Sequence, residues 1–285
     1  PPGHGDLYAA LFCSGTLDAL LASGRRYLFV SNSDNLGAAL DTGILGYFVS
    51  RRLAFLMEVT DRTLADRKGG HLAQTAGGAL LLRESSQCPD SDRAAFEDTS
   101  RHRYFNTNNL WMDLRVLRDV LMDDAPTLPL IVNAKTVDPA DAASSPVYQL
   151  ESAMGAGISA LPDAGAIRVA RSRFAPVKNT ADLLLLRSNR YQIGGSGELV
   201  RTGPEGEALP LIALDGKYFA GLRDFEQRFP AGPPCLRHCT RLEVAGDVVF
   251  GESVVLEGDV RIVNSGPSQR ILEGGRTYSG VVRLG

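Results

Sequence analysis

The sequence is poor in cysteine, has no surplus of charge of one sign and lacks any long apolar run. Its four cysteines, Cys13, Cys88, Cys235 and Cys239 in 285 residues, are too few for a disulfide scaffold. No Asn-x-Ser/Thr sequon is present. Both absences point to a reducing compartment, the cytoplasm. Thirty Lys and Arg against 33 Asp and Glu leave a net charge of −3, without the basic excess of a nucleic-acid-binding domain. No apolar run approaches the roughly 20 residues of a membrane span. The chain opens Pro1-Pro2-Gly3-His4-Gly5-Asp6, with no Met, basic stretch or apolar segment that would mark a signal peptide. So motif-dense a start leads to the expectation that the natural beginning lies upstream. Cys235-Leu-Arg-His238-Cys239 holds zinc-ligand types, but no second Cys/His pair lies within a finger-like distance. Ordinary packing is the expectation there.

With 44% hydrophobic and 22% charged residues, the bulk of the chain is expected to be ordered. The length gives a prior of about two domains. From residue 1 to about 192, helix-like and strand-like patterns alternate. Asp6 is a plausible N-cap for a helix through Leu7, Leu11 and Phe12. Leu17, Leu20 and Leu21 mark a second helix that Gly24 can close. Tyr27–Val30, Ala54–Val59 and Leu130–Val132 read as buried strands. Leu40, Ile44 and Phe48 recur as on one helix face, and Leu110, Leu114, Leu117 and Leu121 mark a clear amphipathic helix. Strands separated by helices imply a mostly parallel sheet covered on both faces.

The last part follows another rule. Leu242, Val248, Val254 and Val260 recur every six residues, and so do Val244, Phe250, Leu256 and Ile262, with Gly246, Gly251 and Gly258 between. A six-residue apolar period is the mark of a parallel β-helix; a plain meander is the alternative. Gly194–Pro210 reads as a loop near a boundary. The expected division is therefore 1–192 as the larger domain, 193–239 as a connecting region and 240–285 as the β-helix.

Several segments carry chemistry. Ser31-Asn32-Ser33-Asp34-Asn35 follows the Tyr27–Val30 strand, where ligands bind in open α/β sheets. A carboxylate there is suited to Mg²⁺, and an Asx turn is the alternative. Arg171-Ser-Arg-Phe-Ala-Pro-Val-Lys178 sets three cations beside apolar anchors, as a phosphate site requires. Phe105-Asn-Thr-Asn-Asn109 precedes the Leu110 pattern, so Asn109 is a candidate N-cap. The Asn residues also suit sugar hydroxyls, which need donors and acceptors without charge. Ala65-Asp-Arg-Lys-Gly-Gly70 puts a Gly pair after a strand, where backbone can approach a ligand closely.

Taken in order, Pro1-Pro-Gly-His-Gly-Asp6, Phe29-Val-Ser-Asn-Ser-Asp-Asn-Leu-Gly37, Met57-Glu-Val-Thr60, Ala65-Asp-Arg-Lys-Gly-Gly70, Phe105-Asn-Thr-Asn-Asn-Leu-Trp111, Val132-Asn-Ala-Lys135, Gln149-Leu-Glu151 and Arg171-Ser-Arg-Phe-Ala-Pro-Val-Lys178 resemble the eukaryotic-type UDP-glucose pyrophosphorylases over nearly the whole chain. The resemblance implies an α/β fold: a Rossmann-like, GT-A-like nucleotidyltransferase mixed sheet followed by a left-handed parallel β-helix. It implies synthesis of UDP-glucose and pyrophosphate from UTP and glucose-1-phosphate with Mg²⁺. By implication Gly3 lies near the uracil, His4 near the sugar phosphate and Asn32 on the sugar or ribose side. Asp34 would hold Mg²⁺, Gly70 would lie by the glucose, and Glu84, Asn106 and Asn108 would bind sugar hydroxyls. Lys178 would neutralise the phosphates.

The family's Gly-rich triphosphate loop precedes the first motif, so the chain as given is expected to bind UTP poorly and to be inactive by itself. Pro139–Pro146 replaces a shorter Gly-containing turn of the family. An N-acetylhexosamine-1-phosphate uridylyltransferase and a non-catalytic sugar-nucleotide-binding or scaffold protein are the competing readings. Assembly into a homo-oligomer through the β-helix is a further expectation.

Overall fold

The computed structural model describes residues 2–63, 66–123, 127–138, 141, 143–195, 197–204 and 207–285. It divides the chain into two compact units, one of residues 1–33 and 38–174, the other of residues 34–37 and 175–285.

In the first unit the strands are β1 (Tyr27–Val30), β2 (Phe55–Asp61), β3 (His71–Gln74), β4 (Leu80–Arg83), β5 (Tyr104–Asp113), β6 (Leu130–Thr136), β7 (Pro146–Ser152) and β8 (Ala164–Arg168). The helices are α1 (Leu7–Cys13), α2 (Thr16–Ala22), α3 (Thr42–Ser50), α4 (Arg93–Glu97), α5 (Leu114–Asp123) and α6 (Gly157–Ala160). The main sheet runs β4-β3-β5-β2-β8, with β1 also on β5. It is mixed. The β2–β8 pair is parallel, whereas β1–β5, β2–β5, β3–β4 and β3–β5 are antiparallel. The expected mostly parallel sheet is corrected accordingly: alternation of strand and helix fixes the order of elements, not the direction in which each strand returns.

The central strands β2 and β5 are buried along most of their length. Phe55, Met57 and Val59 of β2 face a core shared with Tyr8, Leu17, Leu114, Leu117 and Leu121 from the helices. Leu56 turns the other way, onto Trp111, Ile44 and Phe48. Asp41 caps α3, its carboxylate accepting from the Gly43 and Ile44 N–H groups.

Five local expectations are corrected. Leu110 belongs to β5 and the helix starts only at Leu114, because Leu110 fits the buried face of the strand as well as it fits the 4-3-4 spacing. Asn109 is therefore a strand residue and not an N-cap. Leu40 precedes α3 and is 68% exposed. Asp6 makes no side-chain cap bond, since a short 3₁₀ turn at His4–Asp6 runs directly into α1. Leu130–Val132 is a strand but not a buried one: among the described residues β6 pairs only with β7, and Leu130, Val132 and Leu150 are exposed. In the second unit, the Gly194–Pro210 loop contains strand β10, described next.

The second unit carries α7 (Thr180–Arg187), a hairpin of β9 (Tyr191–Ile193) and β10 (Leu199–Arg201), then β11 (Leu211–Leu214), α8 (Gly216–Phe219), α9 (Leu222–Arg228) and five strands: β12 (Cys235–Ala245), β13 (Val248–Phe250), β14 (Val255–Asn264), β15 (Arg270–Leu272) and β16 (Thr277–Leu284). Here every pairing after the hairpin is parallel, as β11-β12-β14-β16 and as β13-β15. All eight residues of the two six-residue series are at most 2% exposed. Leu242 stacks on Val260, and Val244 on Ile262. Among the described residues no helix is long and apolar enough to cross a membrane. Ser196, in the Gly194–Gly197 run, and Pro139, Ala140 and Ala142, in the Pro139–Pro146 segment, lie outside the described residues, as do Pro1 and Ala65 of the motifs.

Candidate functional site

The candidate residues gather in two groups, one in each unit. The first group is built around the antiparallel strands β3, β4 and β5. The Asn106 N–H donates to the Gly70 carbonyl at 3.1 Å. The Glu84 carboxylate lies against Gly70 so closely that a Cβ there would stand 2.6 Å from Oε1. Next to it, β5 carries a bulge. Met57 pairs with Leu110 and Val59 with Asn106, so Thr107, Asn108 and Asn109 together face the single residue Glu58. Asn108 takes the left-handed conformation, φ 57°, that Asn tolerates better than most residues. The bulge brings the Asn106 and Asn108 side chains together. Asn106 Nδ2 donates to Asn108 Oδ1 at 2.8 Å, and the Asn108 N–H donates to Asn106 Oδ1 at 2.9 Å.

His4 joins this group through Met154. The Met154 N–H donates to His4 Nδ1 at 2.9 Å, while the buried Tyr8 hydroxyl donates to the Met154 carbonyl. The two peptide groups that flank the Met154 Cα are thus each held by a side chain. Gly155 follows, and Asn106 Nδ2 lies where its Cβ would be, 2.8 Å away. Burial lowers the His4 pKa, with Glu151 opposing. A neutral ring that accepts at Nδ1 carries its proton on Nε2 and can donate there. Gly3 adopts φ 81°, and the Ser152 N–H donates to the Pro2 carbonyl at 2.9 Å, laying this turn along the end of β7. Asn32 follows β1, two residues beyond Val30, which pairs with Leu110; it is half-buried.

In the second unit, Asp34 and Lys178 are neighbours through their backbones. The Val177 N–H donates to the Asp34 carbonyl at 2.9 Å, and Asn35 bridges to Pro176. The buried Asn35 side chain accepts from the N–H groups of Ala175 and Gly37. Lys178 is exposed and immediately precedes Asn179, the N-cap of α7. Its own N–H donates to Asp182. Among the described residues no three His, Cys, Asp or Glu side chains form a metal cluster. A single aspartate does fit Mg²⁺, which takes one or two carboxylates and completes its shell with phosphate oxygens and water.

Other residues of weight have partners that a motif reading does not supply. Arg171 and Arg173 of the cationic run are both taken up by carboxylates, Arg171 by both oxygens of Asp66 at 2.7 and 2.9 Å and Arg173 by Glu58. Lys178, the third cation of that run, is exposed. Arg171 holds the Asp66 carboxyl below the usual range against the opposing effect of burial. Arg62 donates to the carbonyls of Phe96, His102 and Arg67, tying down the turn that leads to Gly69-Gly70. His71, fully buried after Gly70, stacks on His102 and Phe96. Burial, with His102, Arg62 and Arg83, lowers its pKa to about 3. One signal was available in the sequence: Glu58 interrupts an apolar run, and a carboxylate in a buried strand needs partners.

Residues 1–257 match the model of the UTP–glucose-1-phosphate uridylyltransferase family. The chain is 41% identical over 278 residues to the UTP–glucose-1-phosphate uridylyltransferase of Musa acuminata, covering 96% of this chain and 57% of that protein. The Solanum tuberosum protein of the same name is 41% identical over 276 residues, covering 96% and 56%. Among solved structures, a variant of the Leishmania major UDP-glucose pyrophosphorylase in complex with UDP-glucose superposes with a TM-score of 0.88 at 44% identity. A Trypanosoma brucei relative superposes with a TM-score of 0.89 at 45% identity. Each superposition covers 100% of this chain and 62% of the other. The chain thus spans little more than half the length of the curated relatives it matches. With the family's model matched over most of its length and its mixed sheet superposing on theirs, the chain belongs to the UTP–glucose-1-phosphate uridylyltransferase family.

Proposed function

We propose that this protein joins UTP and glucose-1-phosphate into UDP-glucose, releasing pyrophosphate. A phosphate oxygen of the sugar phosphate attacks the α-phosphorus of UTP. The bond from that phosphorus to the bridging oxygen of the β-phosphate breaks in line, and pyrophosphate leaves with the electron pair. Positioning and charge neutralisation carry such a transfer, and no covalent intermediate on the protein is needed. The observation that carries the reading is the joining of His4, Gly70, Glu84, Asn106 and Asn108 in one neutral and acidic polar group. Amides and one carboxylate offer sugar hydroxyls both donors and acceptors. His4 Nε2–H is suited to a sugar-phosphate oxygen, Gly3 to the uracil and Asn32 to the ribose or sugar side. Lys178 neutralises phosphate charge, and Asp34 would hold Mg²⁺. When bound, Mg²⁺ supplies positive charge to the phosphate oxygens.

The division into a nucleotidyltransferase part of the GT-A-like kind over 1–192, a connecting region over 193–239 and a left-handed parallel β-helix over 240–285 belongs to the same proposal. The Leu242–Val260 step of eighteen residues supports a coil of three six-residue periods. The open outer edge of β16, with Val281 exposed, is the proposed surface for assembly of identical copies. The cytoplasm is the proposed location.

The test is pyrophosphate release by the full-length protein with Mg²⁺, comparing UTP with the other nucleoside triphosphates and glucose-1-phosphate with N-acetylglucosamine-1-phosphate. Turnover with UTP and glucose-1-phosphate is expected. Preference for the N-acetyl sugar would move the protein to the hexosamine reading, and silence with every pair would leave a binding or scaffold protein.

A further inference from the structure

Glu58 stands in the middle of β2, is fully buried, and has no role in the reaction just described. Its carboxylate accepts four N–H bonds, two at each oxygen. Oε1 takes Trp111 Nε1 at 2.9 Å and Arg173 Nη2 at 2.7 Å; Oε2 takes Asn109 Nδ2 at 3.0 Å and Arg173 Nε at 2.7 Å. A buried carboxylate held only for stability needs a cation and filled lone pairs. This one takes, besides its cation, two neutral donors from β5, at the first and third residues after Asn108. Its own backbone is engaged as well. The Thr107 hydroxyl donates to the Glu58 carbonyl at 2.7 Å, and the Asn109 N–H donates to that hydroxyl at 3.2 Å. The bonds from Thr107 and Asn109 fall on the stretch of β5 where three residues face Glu58 alone and where Asn108 is left-handed. Such a conformation persists only where the surroundings over-determine it.

We propose that Glu58 is a positioning residue that sets the β5 bulge and so holds the Asn106–Asn108 amide pair in the geometry that binds the sugar of the sugar phosphate. It touches no substrate and acts through Thr107, Asn109 and Trp111. Arg173 keeps its charge compensated in a place water does not reach. This inference rests on the sugar-binding reading of Asn106 and Asn108. Its signature is selective: loss of Glu58 acts on the sugar phosphate and spares the nucleotide.

The experiment is steady-state kinetics on the full-length protein with each substrate varied in turn. Glu58→Gln keeps the size but turns one acceptor oxygen into an NH₂ group that faces N–H donors. KM for glucose-1-phosphate is expected to rise at least tenfold, with KM for UTP within twofold of the parent. Thr107→Val is nearly isosteric, adds no donor to the buried site and removes the hydroxyl bond to the Glu58 carbonyl. It is expected to raise KM for glucose-1-phosphate about fivefold with the circular dichroism spectrum unchanged, and it decides the matter if Glu58→Gln does not fold. Unchanged KM for the sugar phosphate in the folded variants, or equal rises for both substrates, overturns the positioning role while leaving the proposed activity intact. Absence of turnover in the unsubstituted protein sinks that activity and this inference with it.

Discussion

The two units bury different things. The stacked parallel strands of the second bury a repeat: eight apolar side chains at six-residue steps, with Leu242 against Val260 and Val244 against Ile262. The mixed sheet of the first buries polar groups among its apolar ones, including Glu58, Arg62, His71, Asn106, Thr107 and Asn109. At these eight positions the hydrophobic effect selects the residue type. In the mixed sheet each polar group is tolerable only with particular partners, since an unpaired buried donor or acceptor costs about 1–3 kcal/mol. A region built for packing repeats itself, whereas a region built around a site is irregular.

The largest expected effect probes the stack. Phe250→Ala removes a fully buried ring that lies against Phe229 at 4.6 Å between centroids and is expected to destabilise the protein by about 3–5 kcal/mol. Urea unfolding followed by far-UV circular dichroism measures it, and a loss below about 1 kcal/mol would mean that the stack repacks freely. Next comes the phosphate side. Lys178→Ala in the full-length protein is expected to cut turnover at least tenfold, about 1.4 kcal/mol of barrier. An exposed lysine makes little contribution to folding, so an unchanged kcat would remove it from the site rather than reveal a damaged fold.

The third prediction concerns the buried histidine. With its folded pKa lowered to about 3 from an ordinary 6.5, His71 refuses a proton that the unfolded chain accepts. Above pH ~6.5 the ring is neutral in both states and stability is unaffected. Between ~6.5 and about 3 the unfolded state gains the proton, and this group alone lowers stability by about 1.4 kcal/mol per pH unit. His71→Phe is expected to flatten the acid limb of the stability curve by one proton across that window. An unchanged slope in urea midpoints from pH 6 to 4 would mean that His71 charges in the folded state. The smallest effect returns to the stack. Val281→Lys, at an exposed position of β16, is expected to change stability by no more than about 0.5 kcal/mol. It is also expected to lower the mass seen by light scattering; an unchanged mass removes the β16 edge from assembly.

How much was legible follows the same line. The six-residue series could be read without a structure because period and burial coincide at all eight positions. The two short N-terminal helices follow from spacing alone, since Phe12 is exposed and only Leu17 of their named apolar residues is buried, and Gly24, φ 81°, does stand just after α2. The Leu110 pattern misled because a leucine serves a strand and a helix equally well; only the pairing of Val30 with Leu110 assigns it to β5. Leu130–Val132 misled because an apolar run says strand without saying what covers it. The site residues were recognisable as chemical types, but the take-up of Arg171 and Arg173 by Asp66 and Glu58 was not, because these partners lie 105 and 115 residues apart in sequence.

The sequence by itself determined the family, the order of motifs, the charge types suited to sugar and phosphate, and the apolar repeat of the last part. These are properties of residue type and local spacing, and they survive without coordinates. Only the tertiary structure decided that the main sheet is largely antiparallel, that Asn106 and Asn108 meet across a bulge, that Met154 is held between Tyr8 and His4, and that the Glu58 carboxylate accepts from Asn109, Trp111 and Arg173. Each of these depends on groups distant in the chain meeting where water is excluded, and their hydrogen-bonding demands are met only once the sheet has closed around them.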